Sequence, residues 1–371
     1  MPEDTPRIAF YLRLLYGGGA ERVMVNLMHG FVQRGLKVDL VLNTVDGPYL
    51  AQVPSEVKIV DLKAPRLPAG LFKLARYLRQ EQPTALLSGL HYMNEIALWA
   101  KRISGVSTRL VVSEHSILSI NARHRSHERW SPVFARLFYP WADEIVAVSQ
   151  GAAKDVAQVT GLPLTRIRVI YNPLVTPDLW EKSKAPLDHP WFASGEPPVV
   201  LGVGRLEEEK DFPTLIRAFA QVRQVRPARL VILGTGREQQ ALKALVKELG
   251  LENEVAWVGF VSNPYPYLAR AAVFVSSSIW EGLGNVIVEA IATQTPVVST
   301  DCPCGPAEIL DNGKYGSLVP VGDSQAMAEA ILSVLSGNSQ PVDPTWVNQF
   351  TLETVIQQYL DVLGLPSGRL N

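Results

Sequence analysis

The sequence predicts an α/β protein built from two doubly wound, Rossmann-like domains facing a central cleft. Three observations carry this expectation. Short apolar runs alternate with amphipathic stretches over residues 8–171, and the same alternation restarts at residue 199. Between the two series lies Pro173–Pro198, where prolines recur without periodicity. A chain of 371 residues also exceeds what one ordinary core holds.

In the first series, strands are expected at Ile8–Leu15, Lys37–Thr44, Val57–Leu62, Ala85–Ser88, Arg109–Glu114, Glu144–Ser149 and Ile167–Tyr171. Helices are expected at Glu21–Arg34, Leu71–Glu81, Asn94–Arg102, Pro132–Tyr139 and Gly151–Thr160. The second series gives strands at Val199–Val203, Arg229–Leu233, Val255–Val258, Val273–Ser276 and Pro296–Ser299. Its helices are Phe212–Val225, Arg237–Leu249, Tyr265–Ala271, Gly284–Ala292 and Ser324–Leu335, with a last amphipathic stretch at Thr351–Leu363. The expected domains are therefore residues 1–173, a linker over 174–198, residues 199–345, and a closing helical segment over 346–371. Sheets of this kind bind ligands at the carboxyl ends of their strands, near the crossover point.

Composition narrows the classes. With 47% hydrophobic and 19% charged residues the chain reads as a folded soluble protein. No apolar run approaches the ~18 residues of a membrane span. The acidic start Met1-Pro2-Glu3-Asp4 is unlike a signal peptide. The two cysteines, Cys302 and Cys304, have no second pair or nearby His, so a zinc site or disulfide framework is not expected and a reducing cytosol fits. Residues 1–180 hold 21 Lys/Arg against 15 Asp/Glu, and the remainder is acidic. The first half is thus expected to meet something anionic, though not nucleic acid, because aromatic-basic interleaving of the strand-binding kind is sparse.

Three motifs carry chemistry. Glu281-Gly282-Leu283-Gly284-Asn285-Val286-Ile287-Val288-Glu289 opens on an acid and two glycines and closes on a second acid. Bare amides at a helix start suit a diphosphate or a sugar hydroxyl. On a helix rising through the whole motif, the two Glu backbones would stand about 12 Å apart, a ruler for an elongated ligand. Gly204-Arg205-Leu206-Glu207-Glu208-Glu209-Lys210 follows a strand, and Arg205 with Lys210 could clamp a diphosphate. A solvated loop with local ion pairs is the plainer alternative. Gly17-Gly18-Gly19-Ala20-Glu21 sits at the first strand-to-helix turn, where glycines permit close approach to a ligand. It is neither a dinucleotide fingerprint nor a P-loop, which disfavours an NAD-dependent dehydrogenase.

Together these residues resemble the retaining, nucleotide-sugar-dependent glycosyltransferases of the glycogen synthase-like superfamily, which are family 4-like enzymes of GT-B fold. Residues 142–149, 169–173 and 301–310 carry further family-like phrases. The resemblance implies that the second domain binds the donor, with Arg205 and Lys210 on the diphosphate. Glu281 would reach hydroxyls of the transferred sugar, helped by Gly282, Leu283, Gly284, Asn285 and Val286. Glu289 would take the ribose hydroxyls, and Phe260, Val261 and Ser262 would face the base. Gly18 and Gly19 would close against the diphosphate or sugar. His115, just past the strand ending at Glu114, stands where similar enzymes keep a His touching donor sugar or acceptor.

The implied reaction is transfer of a hexose or N-acetylhexosamine, with uridine as the family's habitual base, to a polysaccharide, lipid-linked or glycolipid acceptor. Glycosidase chemistry fits poorly, because it needs carboxyl groups roughly 5.5–9.5 Å apart. The family is drawn with front-face attack, the leaving diphosphate helping to take the acceptor's proton. No Asp-x-Asp occurs in the chain, so neither an essential metal nor a tightly bound cofactor is expected. Lys73 and Arg76 on one helix, and Arg123, Arg125 and Arg129 near Trp130, Phe134, Phe138 and Tyr139, suggest an anionic lipid acceptor or membrane dock. An apolar core with solvated charges stays open beside it. The expected location is the cytoplasm, peripheral on the inner face of the membrane. A sugar-nucleotide epimerase and a non-catalytic nucleotide-sugar-binding subunit are the rival functions.

Overall fold

The computed structural model describes residues 5–16 and 18–366. Met1–Asp4, Gly17 of the first glycine turn and residues 367–371 of the closing segment lie outside the described residues. The chain divides into two compact units, Met1–Leu174 with Gln349–Asn371, and Val175–Asn348.

Unit 1 holds a sheet of seven strands, β1 (Arg7–Leu12), β2 (Lys37–Leu42), β3 (Lys58–Asp61), β4 (Ala85–Gly89), β5 (Arg109–Glu114), β6 (Glu144–Ala147) and β7 (Ile167–Val169). Their order is β3-β2-β1-β4-β5-β6-β7 and every pairing is parallel. Ile8, Ala9, Phe10 and Tyr11 are all fully buried, which is why these strands read as apolar runs and not as alternation. Helices cover the sheet, among them Gly19–Val32, Leu67–Glu81, His91–Ser104, Ser131–Phe138 and Gln150–Thr160. The ends of Gln150–Thr160 show local control: Ser149 Oγ accepts from the Ala152 amide, and Gly161 closes the helix at φ 75°.

The helix Leu352–Val362 also belongs to unit 1 and packs on Gly19–Val32. Gly30 allows that approach, since a Cβ there would lie 2.5 Å from Ile356 Cγ1. Arg109 Nε donates to the Val362 carbonyl at 2.7 Å and fixes the far end of the helix.

Unit 2 repeats the design with six strands, β8 (Val199–Val203), β9 (Arg229–Leu233), β10 (Val255–Gly259), β11 (Val273–Ser276), β12 (Val297–Thr300) and β13 (Ser317–Val319). The order is β10-β9-β8-β11-β12-β13, again parallel throughout. Residues 175–198 fall within this unit. Their short helix Leu179–Ser183 packs on Tyr265–Arg270, and Arg270 donates to the Ser183 and Ala185 carbonyls. That helix, together with Leu118–His124, Pro306–Ile309 and β13, is absent from the sequence reading because three to seven residues are too few to show a period.

In each sheet the strand order reverses once, at β1/β4 in unit 1 and at β8/β11 in unit 2. Connections leaving such a pair diverge to opposite faces and open a crevice at the carboxyl ends.

Candidate functional site

The motif residues of unit 2 meet at its crevice. The loop after β8 carries Arg205 and Lys210, and the loop after β11 carries Glu281. Lys210 Nζ donates to Glu281 Oε1 at 2.5 Å, and Ser278 Oγ donates to the same oxygen at 2.8 Å. Both side chains are largely enclosed, at 22% and 14% exposure. Arg205 is different: its side chain is 60% exposed and pairs with Glu209 Oε1 at 2.8 Å.

Backbone contacts hold the two loops in register. Ser277 Oγ donates to the Lys210 carbonyl at 2.7 Å, and the Ile279 amide donates to the Glu209 carbonyl at 2.8 Å. From the other side, Thr300 Oγ1 donates to the Ser278 carbonyl at 2.6 Å. Gly305 sits at φ 90°, and a Cβ there would lie 1.8 Å from the Leu283 carbonyl oxygen. Only glycine lets the 301–305 loop close beneath Leu283. The buried Cys302 thiol is pushed up to about 12 by desolvation and the neighbouring Glu281 charge, so it is an inert thiol.

The structure corrects the helical ruler. The helix begins at Asn285, because Gly284 stands at φ 95° as its N-cap and breaks the helical path. Glu281 therefore lies on the loop before the helix, and the 12 Å spacing drawn from a continuous helix does not apply. Gly282, Leu283, Asn285 and Val286 line this turn, with Leu283 buried. Glu289 is wholly buried on the inner side of the helix, both carboxylate oxygens sealed from solvent. Phe260, Val261 and Ser262 lie just beyond β10 at the carboxyl edge, Phe260 being 54% exposed.

In unit 1, Gly18 is the N-cap of the first helix, which starts at Gly19 and not at Glu21. A Cβ on Gly18 would lie 2.3 Å from Glu21 Oε2, so this carboxylate folds back over the turn. At the end of β4, Leu90 adopts φ 77°, a strained backbone for a leucine. His115 follows β5, and its Nε2 lies 3.0 Å from Ser113 Oγ, which in turn is 3.3 Å from the Tyr359 hydroxyl. Its Nδ1 is sealed from solvent and has no hydrogen-bond partner. Burial holds the imidazole down to about 4, hence neutral at pH 7.

Next to it, Glu114 is buried and accepts from the Tyr139 hydroxyl at 2.7 Å and Ser116 Oγ at 2.8 Å. Desolvation outweighs those bonds and raises it to about 7, and burial beside Glu114 raises Glu95 to about 8. Tyr139, read from the sequence as part of a basic-aromatic surface, is instead a fully buried core residue.

The basic residues divide. Arg123 and Arg129 are exposed, with the Arg129 guanidinium 5.4 Å from the Trp130 ring centroid. Arg125 is half-buried and donates to the buried Glu128 at 3.2 Å. Lys73 and Arg76 are exposed on Leu67–Glu81, Lys73 Nζ donating to the Lys63 carbonyl. Beside them Val133 and Leu137 join Trp130 and Phe134 of the expected basic-aromatic stretch in one exposed stripe. Trp130, Val133, Phe134 and Leu137 recur at helical spacing yet point outward, 57%, 45%, 40% and 55% exposed. Trp99 and Ile103 of the adjacent helix extend it.

Ser278, which holds Glu281, has no signal in its spacing, whereas the exposed Arg205–Glu209 pair is one of the local ion pairs that the plainer reading of the loop expects. Gly234 and Gly236 had a visible signal: two glycines flanking one residue at the end of a strand. A Cβ at Gly234 would lie 1.9 Å from the Gly204 carbonyl oxygen, and one at Gly236 2.2 Å from that of Leu206. They let the loop after β9 brace the segment that carries Arg205. Among the described residues, no group of three or more His, Cys, Asp and Glu is arranged to hold a metal ion.

Two family models match in tandem, "Glycosyltransferase Family 4" over residues 17–176 and "Glycosyl transferases group 1" over residues 186–345. The chain belongs to the family 4-like glycosyltransferases of the GT-B superfamily. It is 30% identical over 341 residues to the N-acetylgalactosamine-N,N'-diacetylbacillosaminyl-diphospho-undecaprenol 4-alpha-N-acetylgalactosaminyltransferase of Campylobacter jejuni, covering 89% of this chain and 90% of the relative. It is 31% identical over 358 residues to the lipopolysaccharide core biosynthesis glycosyltransferase LpsE of Rhizobium meliloti, covering 94% and 96%. Among solved structures, Anabaena HepE in complex with UDP and glucose superposes with a TM-score of 0.79 at 23% identity, covering 96% of this chain and 99% of that one. This last likeness speaks for the fold.

Proposed function

We propose that this glycosyltransferase moves a hexose or N-acetylhexosamine, with retention, from a UDP-sugar to a lipid-linked or glycolipid acceptor, without a metal. The observation that carries the reading is the contact of Lys210 with Glu281 at the β8/β11 crevice, with Arg205 exposed on the same loop as Lys210. Two cations beside a carboxylate match a diphosphate joined to a polyol: Lys210 and Arg205 neutralise the leaving diphosphate, and Glu281 accepts from sugar hydroxyls. The amide-rich turn Gly282–Val286 adds donors at a helix start. In this reading Glu289, wholly buried on the inner side of the helix, takes the ribose hydroxyls. Phe260–Ser262 border the base.

In unit 1 the neutral His115 offers a ring nitrogen to a substrate hydroxyl without adding charge. The names of the Campylobacter and Rhizobium relatives support an undecaprenol-linked or lipopolysaccharide-like acceptor. No helix among the described residues is long and apolar enough to cross a membrane. The exposed stripe Trp130–Leu137, flanked by Arg102, Arg123, Arg129 and Arg136, instead suits an anionic membrane surface.

The deciding experiment is calorimetric titration of UDP, GDP and ADP with EDTA present, beside the Arg205→Ala/Lys210→Ala double variant. UDP binding that weakens in the variant supports the donor site; no binding of any nucleotide overturns it. Incubation with UDP-sugars and a polyprenyl-diphosphate glycan then reads transfer, and NMR of the product reads the anomer. Turnover of UDP-sugar without an acceptor would favour an epimerase.

A further inference from the structure

Both cations of the crevice are already engaged with acids of the protein itself, but on unequal terms. The Arg205–Glu209 pair has its guanidinium in solvent, where screening leaves little energy in the contact. The Lys210–Glu281 pair is enclosed, and the frame around it leaves neither partner a wide choice. Ser278 pins the same Glu281 oxygen that Lys210 holds. The backbone of Lys210 is tied to Ser277, and that of Glu209 to Ile279. The Glu281 amide reaches the Pro303 carbonyl at 3.5 Å.

We propose that Glu281 competes with the donor's diphosphate for Lys210, and thereby selects an intact nucleotide sugar over the bare nucleoside diphosphate. The inference rests on the donor reading above. When a nucleotide sugar enters, Lys210 turns to the diphosphate and the sugar hydroxyls replace it as donors to Glu281. Both charges then keep partners. When a nucleoside diphosphate enters alone, it draws Lys210 away and gives Glu281 nothing. An enclosed carboxylate stripped of its counter-ion, and facing phosphate charge, is costly. The spent diphosphate is therefore the poorer ligand, and after transfer Glu281 recaptures Lys210 as the product leaves.

The test is a double-variant cycle on the full chain, using Glu281→Gln, Lys210→Ala and the pair together. The titrants are inorganic pyrophosphate, UDP and UDP-N-acetylgalactosamine, with EDTA present. Glutamine keeps the size and the Ser278 contact but gives up the charge. Glu281→Gln should bind UDP and pyrophosphate about tenfold more tightly than wild type, about 1.4 kcal/mol. The nucleotide sugar should bind no more tightly than before. In the Lys210→Ala background the gain should vanish.

Unchanged or weaker pyrophosphate and UDP binding in Glu281→Gln would overturn the proposal. So would a gain that survives without Lys210, since it would then come from simple repulsion. Pyrophosphate separates this inference from the donor reading: it needs no base, so a wild type that ignores UDP but shows the pyrophosphate cycle refutes only the uridine assignment.

Discussion

At the β8/β11 crevice of unit 2, two ion pairs stand within one turn of each other, whereas the strand ends of unit 1 present hydroxyls, a neutral imidazole and a carboxyl raised by burial. Lys210, Glu281, Arg205 and Glu209 make the first environment. His115, Ser113, Tyr359 and a Glu114 raised to about 7 make the second. The sheets share one logic, parallel strands with a single reversal of order. A doubly wound sheet thus supplies an address, and the side chains at the strand ends decide whether it suits an anion or a polyol.

Four changes test that contrast, in decreasing order of effect. Removing the charge side, Arg205→Ala with Lys210→Ala, should lower kcat/KM on the order of 10³-fold and weaken UDP in calorimetry. Removing the neutral side, His115→Ala, should lower kcat roughly 10- to 100-fold, the worth of one buried hydrogen bond, with UDP affinity unchanged. A parallel loss of UDP affinity would erase the distinction between the two environments. On the outer surface of unit 1, Trp130→Ala with Leu137→Ser should reduce co-sedimentation with anionic liposomes severalfold at low salt and leave neutral liposomes unaffected.

The smallest effect is on stability. Glu95 and Glu114 have raised folded-state values, so the folded protein binds more protons than the unfolded chain between about 4.5 and 8, and stability falls as pH rises through that window. His115 acts oppositely: held down to about 4, it loses stability as pH falls from 6.5 towards 4. Glu95→Gln should therefore raise the melting temperature at pH 8 by roughly 2–8 °C, and much less at pH 5, in a scanning-calorimetry series.

Much of the fold was legible because strands buried on both faces are written as apolar runs. Val199–Val203, Arg229–Leu233 and Val273–Ser276 appear in the structure with the bounds read from sequence. Helix starts were read less well. Leu67–Glu81 begins four residues earlier than its periodic stretch, Pro68 occupying the first turn where a missing amide costs nothing. At Gly284 the error ran the other way. The periodic stretch Gly284–Ala292 places the start within one residue, but the ruler carries the helix on to Glu281, and a left-handed glycine is invisible to periodicity.

The charged motif residues of the site were legible as motifs, and Lys210 and Glu281 do meet. Their pairing was not, because it depends on two loops 71 positions apart being hung on neighbouring strands. The stripe on Ser131–Phe138 was half legible: Trp130 and Phe134 were offered as a surface dock, but an amphipathic helix looks the same whichever way its apolar face points, and Tyr139 of the same stretch is core.

Unit 1 is made from the two ends of the chain, and those ends meet: the Leu174 amide donates to the Phe350 carbonyl at 3.0 Å. Unit 2 is thus threaded into its host as a cassette with a narrow entry and exit. A gene spliced from residue 174 to residue 349 through a short linker would keep the seven-stranded sheet and its closing helix in one continuous reading frame. Exchange of the cassette between relatives, at these two seams, is a route by which one host scaffold gains a different second sheet while its own strand pairings stay in place.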